Sequence, residues 1–205
     1  MDLLDKVKYN EGEDRLFLVG DVINRGPDSH KVLDYLIKHP QIKSVMGNHE
    51  YHFLQGFKGA KWKKHSSFNY LLQQLSGSKW SLYEDYLKSL PYYMEDNKWF
   101  LVHAGLNRGE HPSKTDPEFL MKTRIVVTTK GLYPWFDLYK GEKMVVFGHW
   151  ARRGLVKSGL VRGLDTGCVY GGKLTALILP DDKFVSVDAH QQWYDPIKKR
   201  LNWSI

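Results

Sequence analysis

Residues 16–29 read Leu16-Phe17-Leu18-Val19-Gly20-Asp21-Val22-Ile23-Asn24-Arg25-Gly26-Pro27-Asp28-Ser29. Four apolar side chains run into a Gly-Asp pair and then into a turn of Asn, Arg, Gly and Pro. A short apolar run bounded by turn formers predicts a buried strand, of the kind covered on both faces. Asp21 stands where that strand leaves the core, and open sheets bind their ligands beyond the carboxyl ends of strands. Asp21 is therefore a candidate metal ligand and Arg25 a candidate anion contact.

Working outward, Pro27-Asp28-Ser29 opens a helix with Val32, Leu33, Leu36 and Ile37 as its apolar stripe, and Pro40 ends it. Ile42 to Met46 predicts a second strand, which runs into Gly47-Asn48-His49-Glu50. Strand, helix and strand within about thirty residues make a βαβ unit with parallel strands. Upstream, residues 2–8 predict an amphipathic helix with Leu3, Leu4 and Val7 on its buried face. Downstream, residues 51–94 read as helical in three pieces, Tyr51 to Phe57, Ser67 to Leu75 and Trp80 to Leu90. A third strand, Trp99 to Val102, ends in His103-Ala104-Gly105. Residues 106–141 read as loop with one short helix near Pro117 to Thr123. A fourth strand, Met144 to Phe147, ends in Gly148-His149-Trp150. β-like segments follow around residues 160–164, 174–179 and 184–187, and Trp193, Tyr194 and Trp203 are expected to dock the C-terminal residues on the body.

The chain has 205 residues, 42% hydrophobic and 26% charged, which predicts one domain over residues 1–205 with a core of its own. A net charge of +7 favours anionic partners such as nucleotides, polyphosphates or RNA. The single cysteine, Cys168, excludes an internal disulfide framework and fits a reducing compartment. No run reaches the length of a membrane span, and the N-terminus has no signal-peptide pattern, so the expectation is a cytoplasmic protein without a membrane partner. Nothing in the sequence calls for an obligate protein partner.

Four apolar strands thus each run into a metal-capable residue: Asp21, Asn48, His103 and His149. One histidine after a strand is most often structural, but packing alone does not explain the same design four times. Carboxylate oxygen, amide oxygen and imidazole nitrogen together suit Mn, Fe, Zn or Co, whereas Ca would call for more oxygens.

The motifs GDVINRGPDS, GNHE, HAGL and FGHW, in this order, resemble the calcineurin-like metallophosphoesterase superfamily. Within it, NRGPDS, HAGL, FGHW and LDTGCVYGGKLTALILP look most like the symmetrical diadenosine tetraphosphate hydrolases and their bacterial relatives. The resemblance implies an α/β fold with two β-sheets packed face to face and flanked by helices. It also implies two divalent metal ions, with Asp21 bridging them and Asn48, His103 and His149 completing the second site. His49 would protonate the leaving oxygen, and Arg25, with Asn24 beside it, would hold phosphate oxygens. The chemistry accounts for these roles: two metals activate water and neutralise charge on the oxygens, an imidazolium supplies the proton, and arginine offers a fork matched to phosphate.

Two departures from the pattern stand out. Asn24 is an amide where Ser/Thr phosphatase relatives carry an acidic residue, which favours the dinucleotide branch. The superfamily's Gly-Asp-x-His-Gly motif would lie upstream of residues 2–8, and none of Asp2, Asp5 and Asp14 has a histidine two positions on. The expectation is an N-terminally truncated domain that lacks the first strand, with a first metal site reduced to Asp21 and two-metal catalysis weakened.

The remaining polar residues have plainer readings. His30, His39, His65, His111 and His190 read as surface residues, His52 as a packing group, and Glu50 as a helix cap. Asp165 and Cys168 read as turn residues, and Cys168 lacks an activator. Arg108, Arg124, Arg152 and Arg153 are candidates for contacts to a long polyphosphate, although each taken alone reads as a solvated surface arginine. Lys58, Lys61, Lys63 and Lys64 around Trp62 read as a basic loop able to stack a base. The function expected is metal-dependent hydrolysis of dinucleoside polyphosphates, diadenosine tetraphosphate giving two ADP. The alternatives are a Ser/Thr phosphoprotein phosphatase, an enzyme removing nucleoside-tetraphosphate caps from RNA, and a non-catalytic nucleotide- or RNA-binding remnant.

Overall fold

A computed structural model describes residues 1–57, 67–77 and 79–195. The Lys58–Lys64 loop with Trp62, and likewise His65 and Trp203, lie outside the described residues.

The first βαβ unit forms as its sequence pattern requires. Strand β1 (Phe17–Leu18) pairs in parallel with β2 (Lys43–Ser44), with Phe17 opposite Lys43 and Leu18 opposite Ser44. Helix α1 (Asp2–Val7) precedes the unit, and α2 (Ser29–Lys38) is its crossover. Leu33 and Leu36 of α2 are buried, while Val32 of the expected stripe lies 40% exposed. The face predicted for α1 is only half-buried. Lys6 ties that helix to the carbonyl of Ser186, and His190 ties it to Asp2. Among the described residues β1 has a ladder partner on one side only.

Three helices follow close to the expected bounds: α3 (Asn48–Phe57), α4 (Ser67–Leu75) and α5 (Trp80–Ser89). Their apolar stripes meet α2 in one cluster that buries Leu33, Phe53, Leu71, Leu75 and Leu87.

The central sheet has five strands in the order β3-β4-β7-β9-β8: Tyr93–Glu95, Trp99–Val102, Met144–Phe147, Val161–Gly163 and Val156–Ser158. The two long apolar runs sit side by side and parallel, Phe100 opposite Val145 and Leu101 opposite Val146. Both faces of this pair are covered, which is why the runs are continuous rather than alternating. Phe100, Val102, Val145 and Phe147 point one way, into a cluster with Trp135, Phe136, Leu106 and Leu120. Leu101 and Val146 point the other way, toward Phe17, Val19 and Val45 near the β1–β2 pair and toward Leu177. Leu177 belongs to a hairpin of β10 (Lys173–Ile178) and β11 (Lys183–Asp188). This is a mixed sheet flanked by helices, with the second layer supplied by two separate two-stranded pieces.

Three features depart from the sequence reading. Strand β3 lies in a stretch expected to be helical. It is three residues long, and antiparallel pairing to β4 makes it a strand. Residues 106–141 hold more than the single helix α6 (Pro117–Lys122). They also form a hairpin, β5 (Ile125–Thr128) with β6 (Gly131–Pro134), whose two-residue turn ends at Gly131. Of the histidines expected on the surface, His30, His39 and His111 are half-buried: His30 has its Nδ1 buried, His39 stacks on Tyr35 and His111 pairs with Glu95. His39 stacks one helical turn back on its own helix, whereas the Glu95 that meets His111 is supplied by the tertiary fold.

Candidate metal centre

Four exits from the sheets converge on one point. Asp21 lies three residues past β1, Asn48 opens α3, His103 follows β4 directly, and His149 follows β7 by two residues. The amide of Gly148 donates to the carbonyl of His103 at 2.8 Å, carrying the β4–β7 ladder past the strand ends. The two histidines therefore emerge as neighbours, with ring centroids 4.9 Å apart. Two glycines let the loops close around them. Gly20 has φ +85°, and a Cβ there would sit 2.8 Å from His103 Nδ1. At Gly47 a Cβ would run into Asp21 Oδ1 and Glu50 Oε2.

The hydrogen bonds fix which atoms face inward. His103 Nδ1 lies 2.7 Å from the Val19 carbonyl and His149 Nε2 lies 3.1 Å from the Lys122 carbonyl. A carbonyl only accepts, so these nitrogens carry the hydrogens, and the other nitrogen of each ring presents a lone pair. Those lone-pair atoms, His103 Nε2 and His149 Nδ1, are 3.1 Å apart. Asn48 Oδ1 lies 3.1 Å from the first and 2.8 Å from the second. Asp21 Oδ1 is 3.3 Å from His103 Nε2. Four electron-rich atoms crowd together with no hydrogen among them, an arrangement that repels itself until a cation sits in its midst. The donor set of carboxylate, amide and two imidazoles fits a divalent transition metal. Among the described residues, Asp21, His103 and His149 are the group of His, Cys and carboxylate side chains close enough to share an ion, their ligand atoms within 4.8 Å of one another.

The charges follow from burial and neighbours. Burial, reinforced by His103 and Arg124, pushes His149 down to about 3, which keeps its imidazole neutral and able to ligate. Burial would raise Asp21, but positive charge on the His103 and His49 rings, when they are protonated, prevails and holds its carboxyl at about 2. With the rings neutral, a cation in the cluster would take that part.

Glu50 is the clamp behind this cluster. It is fully buried, and Oε2 accepts from the amides of Asp21 and Gly47, each at 2.9 Å, while Oε1 accepts from Ile23 at 3.1 Å. The bond from the Gly47 amide is half of a capping box on α3. The other two bonds pin the Asp21 loop to that same helix. The cap expected from sequence is present and reaches across to a second loop, because Asp21 and Glu50 meet only after β1 and β2 pair. Burial, with the charge of Asp21 beside it, pushes the Glu50 carboxyl up to about 8.

His49 lies beside the cluster, 7% exposed. Its Nδ1 sits 3.3 Å from the Ile23 carbonyl and its Nε2 3.9 Å from Asp21 Oδ2, while its amide donates to Asp21 Oδ1 at 3.1 Å. Burial lowers its pKa, against the pull of Asp21. Asn24 and Arg25 sit in the turn with left-handed φ of 80° and 62°. Asn24 Oδ1 accepts from the Arg25 amide at 2.9 Å, whereas Asn24 Nδ2 and Arg25 Nε are buried donors without a partner among the described residues.

Sequence reasoning missed what surrounds Arg25. Tyr170 and Tyr194, far along the chain, flank its guanidinium. Arg124, read as solvated, is exposed but anchored: its Nη2 donates to the His149 carbonyl at 3.0 Å. No pattern in sequence announces either arrangement. Asp165 and Cys168 behave as turn residues, Asp165 Oδ1 accepting from the Gly167 amide at 3.1 Å, and burial raises the Cys168 thiol.

Residues 1–154 match the profile of the calcineurin-like phosphoesterase family. The chain belongs to that family. Its relatives include proteins named symmetrical bis(5'-nucleosyl)-tetraphosphatase. The one from Nitrosomonas europaea is 29% identical, the match covering 91% of this chain and 92% of the relative. That from Cellvibrio japonicus is 30% identical over 86% of this chain and 89% of the relative. A crystal structure provisionally called a diadenosine tetraphosphatase superposes with a TM-score of 0.80 at 32% identity, covering 92% of this chain and 86% of that one. The metallophosphoesterase from Sphaerobacter thermophilus shares the fold, with a TM-score of 0.54 at 15% identity over 93% of this chain and 82% of its own. As a calcineurin-like phosphoesterase the chain is a hydrolase of phosphate ester or anhydride bonds, from a metal-dependent family. Among the described residues no helix is long and apolar enough to cross a membrane.

Proposed function

We propose that this chain hydrolyses dinucleoside polyphosphates and cuts diadenosine tetraphosphate symmetrically into two ADP. The observation that supports a metal-dependent reaction is the convergence of Asp21 Oδ1, Asn48 Oδ1, His103 Nε2 and His149 Nδ1 without a hydrogen among them. The nucleotide substrate is supported by the names of the relatives.

Asp21, Asn48, His103 and His149 would hold one divalent ion, and the free Oδ2 of Asp21 suits it to a second. Bound there, Mn, Co, Fe or Zn supplies charge neutralisation and an acidified water. The protein's own contribution is the geometry around the phosphate. The Arg25 guanidinium, with Asn24 beside it, would hold phosphate oxygens. Arg25 Nε and Asn24 Nδ2 are buried donors with no partner among the described residues. His49 gives a proton from Nε2 to the departing oxygen, its ring held by the bond of Nδ1 to the Ile23 carbonyl. Burial lowers the pKa of His49, and an anionic phosphate beside it works the other way, so the proton is recruited with the substrate. A nucleotide substrate and the lone Cys168 fit a cytoplasmic setting.

The test is chromatography of products from purified protein, diadenosine tetraphosphate and Mn²⁺, with EDTA as control. ADP as the sole product, lost with EDTA, is expected. Formation of ATP plus AMP, or faster phosphate release from a phosphoserine peptide, overturns the substrate. Faster uncapping of tetraphosphate-capped RNA transfers the assignment to RNA ends. Nucleotide binding without turnover in any metal points to the non-catalytic alternative.

A further inference from the structure

Arg25 is held by two tyrosines from the far end of the chain. Its Nη1 donates to the Tyr170 hydroxyl at 2.6 Å. Its guanidinium carbon lies 5.0 Å from the centre of the Tyr194 ring and 5.8 Å from that of Tyr170. The two rings meet edge to face, 6.0 Å apart. The backbone fixes both tyrosines to each other. The amides of Trp193 and Tyr194 both donate to the Val169 carbonyl at 3.0 Å, Tyr170 bridges to Gln192, and the Tyr170 amide closes a turn on the Gly167 carbonyl at 2.9 Å.

This arrangement leaves a hydrogen to give. The Tyr170 oxygen is used as an acceptor by Arg25, so its own hydrogen is available, and no acceptor for it stands among the described residues. Arg25 Nε is closed to solvent and has no partner among the described residues, so a ligand meets the guanidinium at its outer nitrogens. A guanidinium flanked by two aromatic rings is shielded from water and held in one orientation, which strengthens its grip on an anion. The unspent Tyr170 hydrogen and the Arg25 charge belong to adjacent side chains joined by a hydrogen bond.

We infer that Tyr170 is a phosphate-binding residue that shares one phosphate group with Arg25, and that Tyr194 is the positioning residue that holds the Arg25 guanidinium for it. The two turns that carry Tyr170 and Tyr194, at either end of the β10–β11 hairpin, are thus part of the substrate site. The inference rests on Arg25 being a phosphate contact, as proposed above, and names the rest of that subsite.

The experiment is isothermal titration of ADP into the Mn²⁺-loaded protein and its variants, with Mn²⁺ affinity and thermal midpoint measured alongside. Tyr170→Phe removes the hydroxyl and keeps the ring, and ADP binding is expected to weaken about 10- to 100-fold, the range for a hydrogen bond to a charged group. Tyr194→Leu is expected to weaken it about 2- to 30-fold, and Tyr194→Phe to restore it, because the ring face is what acts. Mn²⁺ affinity is expected to stay within twofold in all three. A purely structural tyrosine would instead lower the thermal midpoint in step with affinity, and phenylalanine at 194 would not separate the two. ADP affinity unchanged within twofold in Tyr170→Phe overturns the inference, as does a wild type that binds no ADP. Metal-dependent hydrolysis of bis(p-nitrophenyl) phosphate by the wild type reads the hydrolase itself, so absence of a Tyr170→Phe effect on ADP binding while the wild type retains that activity sinks this inference and spares the hydrolase reading.

Discussion

Two buried polar networks in this molecule are built on opposite plans. At Arg162, 6% exposed, every guanidinium nitrogen has a partner within the chain. Nε and Nη2 grip the two oxygens of Asp182 at 2.6 and 2.8 Å, and Nη1 donates to the carbonyls of Gly159 and Val161. That network pins β9 to the β10–β11 turn and asks nothing of solvent or ligand. At Asp21 the same tight packing leaves four lone-pair atoms facing one another and two donors nearby with no acceptor among the described residues. Burial of polar groups is tolerated when each is satisfied. A network that closes on itself is architecture. One that closes only around a cation and an anion is a site.

The comparison breaks first, if at all, at its catalytic end. Asp21→Asn and His49→Gln are each expected to lower kcat for diadenosine tetraphosphate by about 10²- to 10⁴-fold, the range for losing a group that acts on the reacting atoms. The thermal midpoint measured in EDTA should hold within a few degrees. A large fall in that midpoint would mean that the cluster is architecture after all.

Glu50 sharpens the contrast, because it satisfies three amides and yet aims Asp21. Glu50→Gln keeps the size but cannot accept at both ends. It should weaken Mn²⁺ binding about 10- to 100-fold, as for groups that orient ligands, while also lowering the midpoint. Unchanged metal affinity would separate Glu50 from the site.

The smallest effect belongs to the closed network. Asp182→Asn should lower the midpoint without changing kcat per folded molecule. Hydrogen bonds from Arg162 and Lys157 hold the Asp182 carboxyl well below the usual carboxylate range. A depressed carboxyl lends stability that is fully present above its unfolded pKa, near 3.8, and is lost as pH falls toward its folded value. The gap between wild type and Asp182→Asn should therefore be constant from neutral pH to about pH 5 and close below about pH 4. Thermal melts across pH read this directly, and a gap that persists in acid would show that the pair acts by shape alone.

Much of the site was legible in the sequence, for a physical reason. The apolar runs 99–102 and 144–147 are covered on both faces and announce themselves. Leu16 to Val19, expected to be covered likewise, is only half-buried and Lys43 is exposed, because the β1–β2 pair lies outside the central sheet. In every run the residue leaving it is near the sheet's edge. Asp21, Asn48, His103 and His149 share that position, and two pairs of parallel strands bring them together. What stayed hidden has no local signature. Strand β3 is a strand only because β4 lies beside it, and the β5–β6 hairpin carries Val127 and Leu132 at 76% and 69% exposure, apolar residues that read as irregular. Tyr170 and Tyr194 reach Arg25 across most of the chain's length. Glu50 was visible as a cap for its own helix, but its hold on the Asp21 loop needed the third dimension.

Asp21, Asn24, Arg25 and His149 all have positive φ, at 56°, 80°, 62° and 65°. For residues with a Cβ this region costs about 1–2 kcal/mol each, and glycine, asparagine and aspartate enter it most readily. Replacement at these positions is consequently screened twice, by backbone and by chemistry. Arg25 and His149 already bear that cost, so in a saturation scan the backbone alone would reject only β-branched residues and proline there, and loss with other side chains reports on chemistry. Glycine is the informative substitution there: it relieves the backbone while deleting the side chain, so whatever function it destroys belongs to the side chain alone.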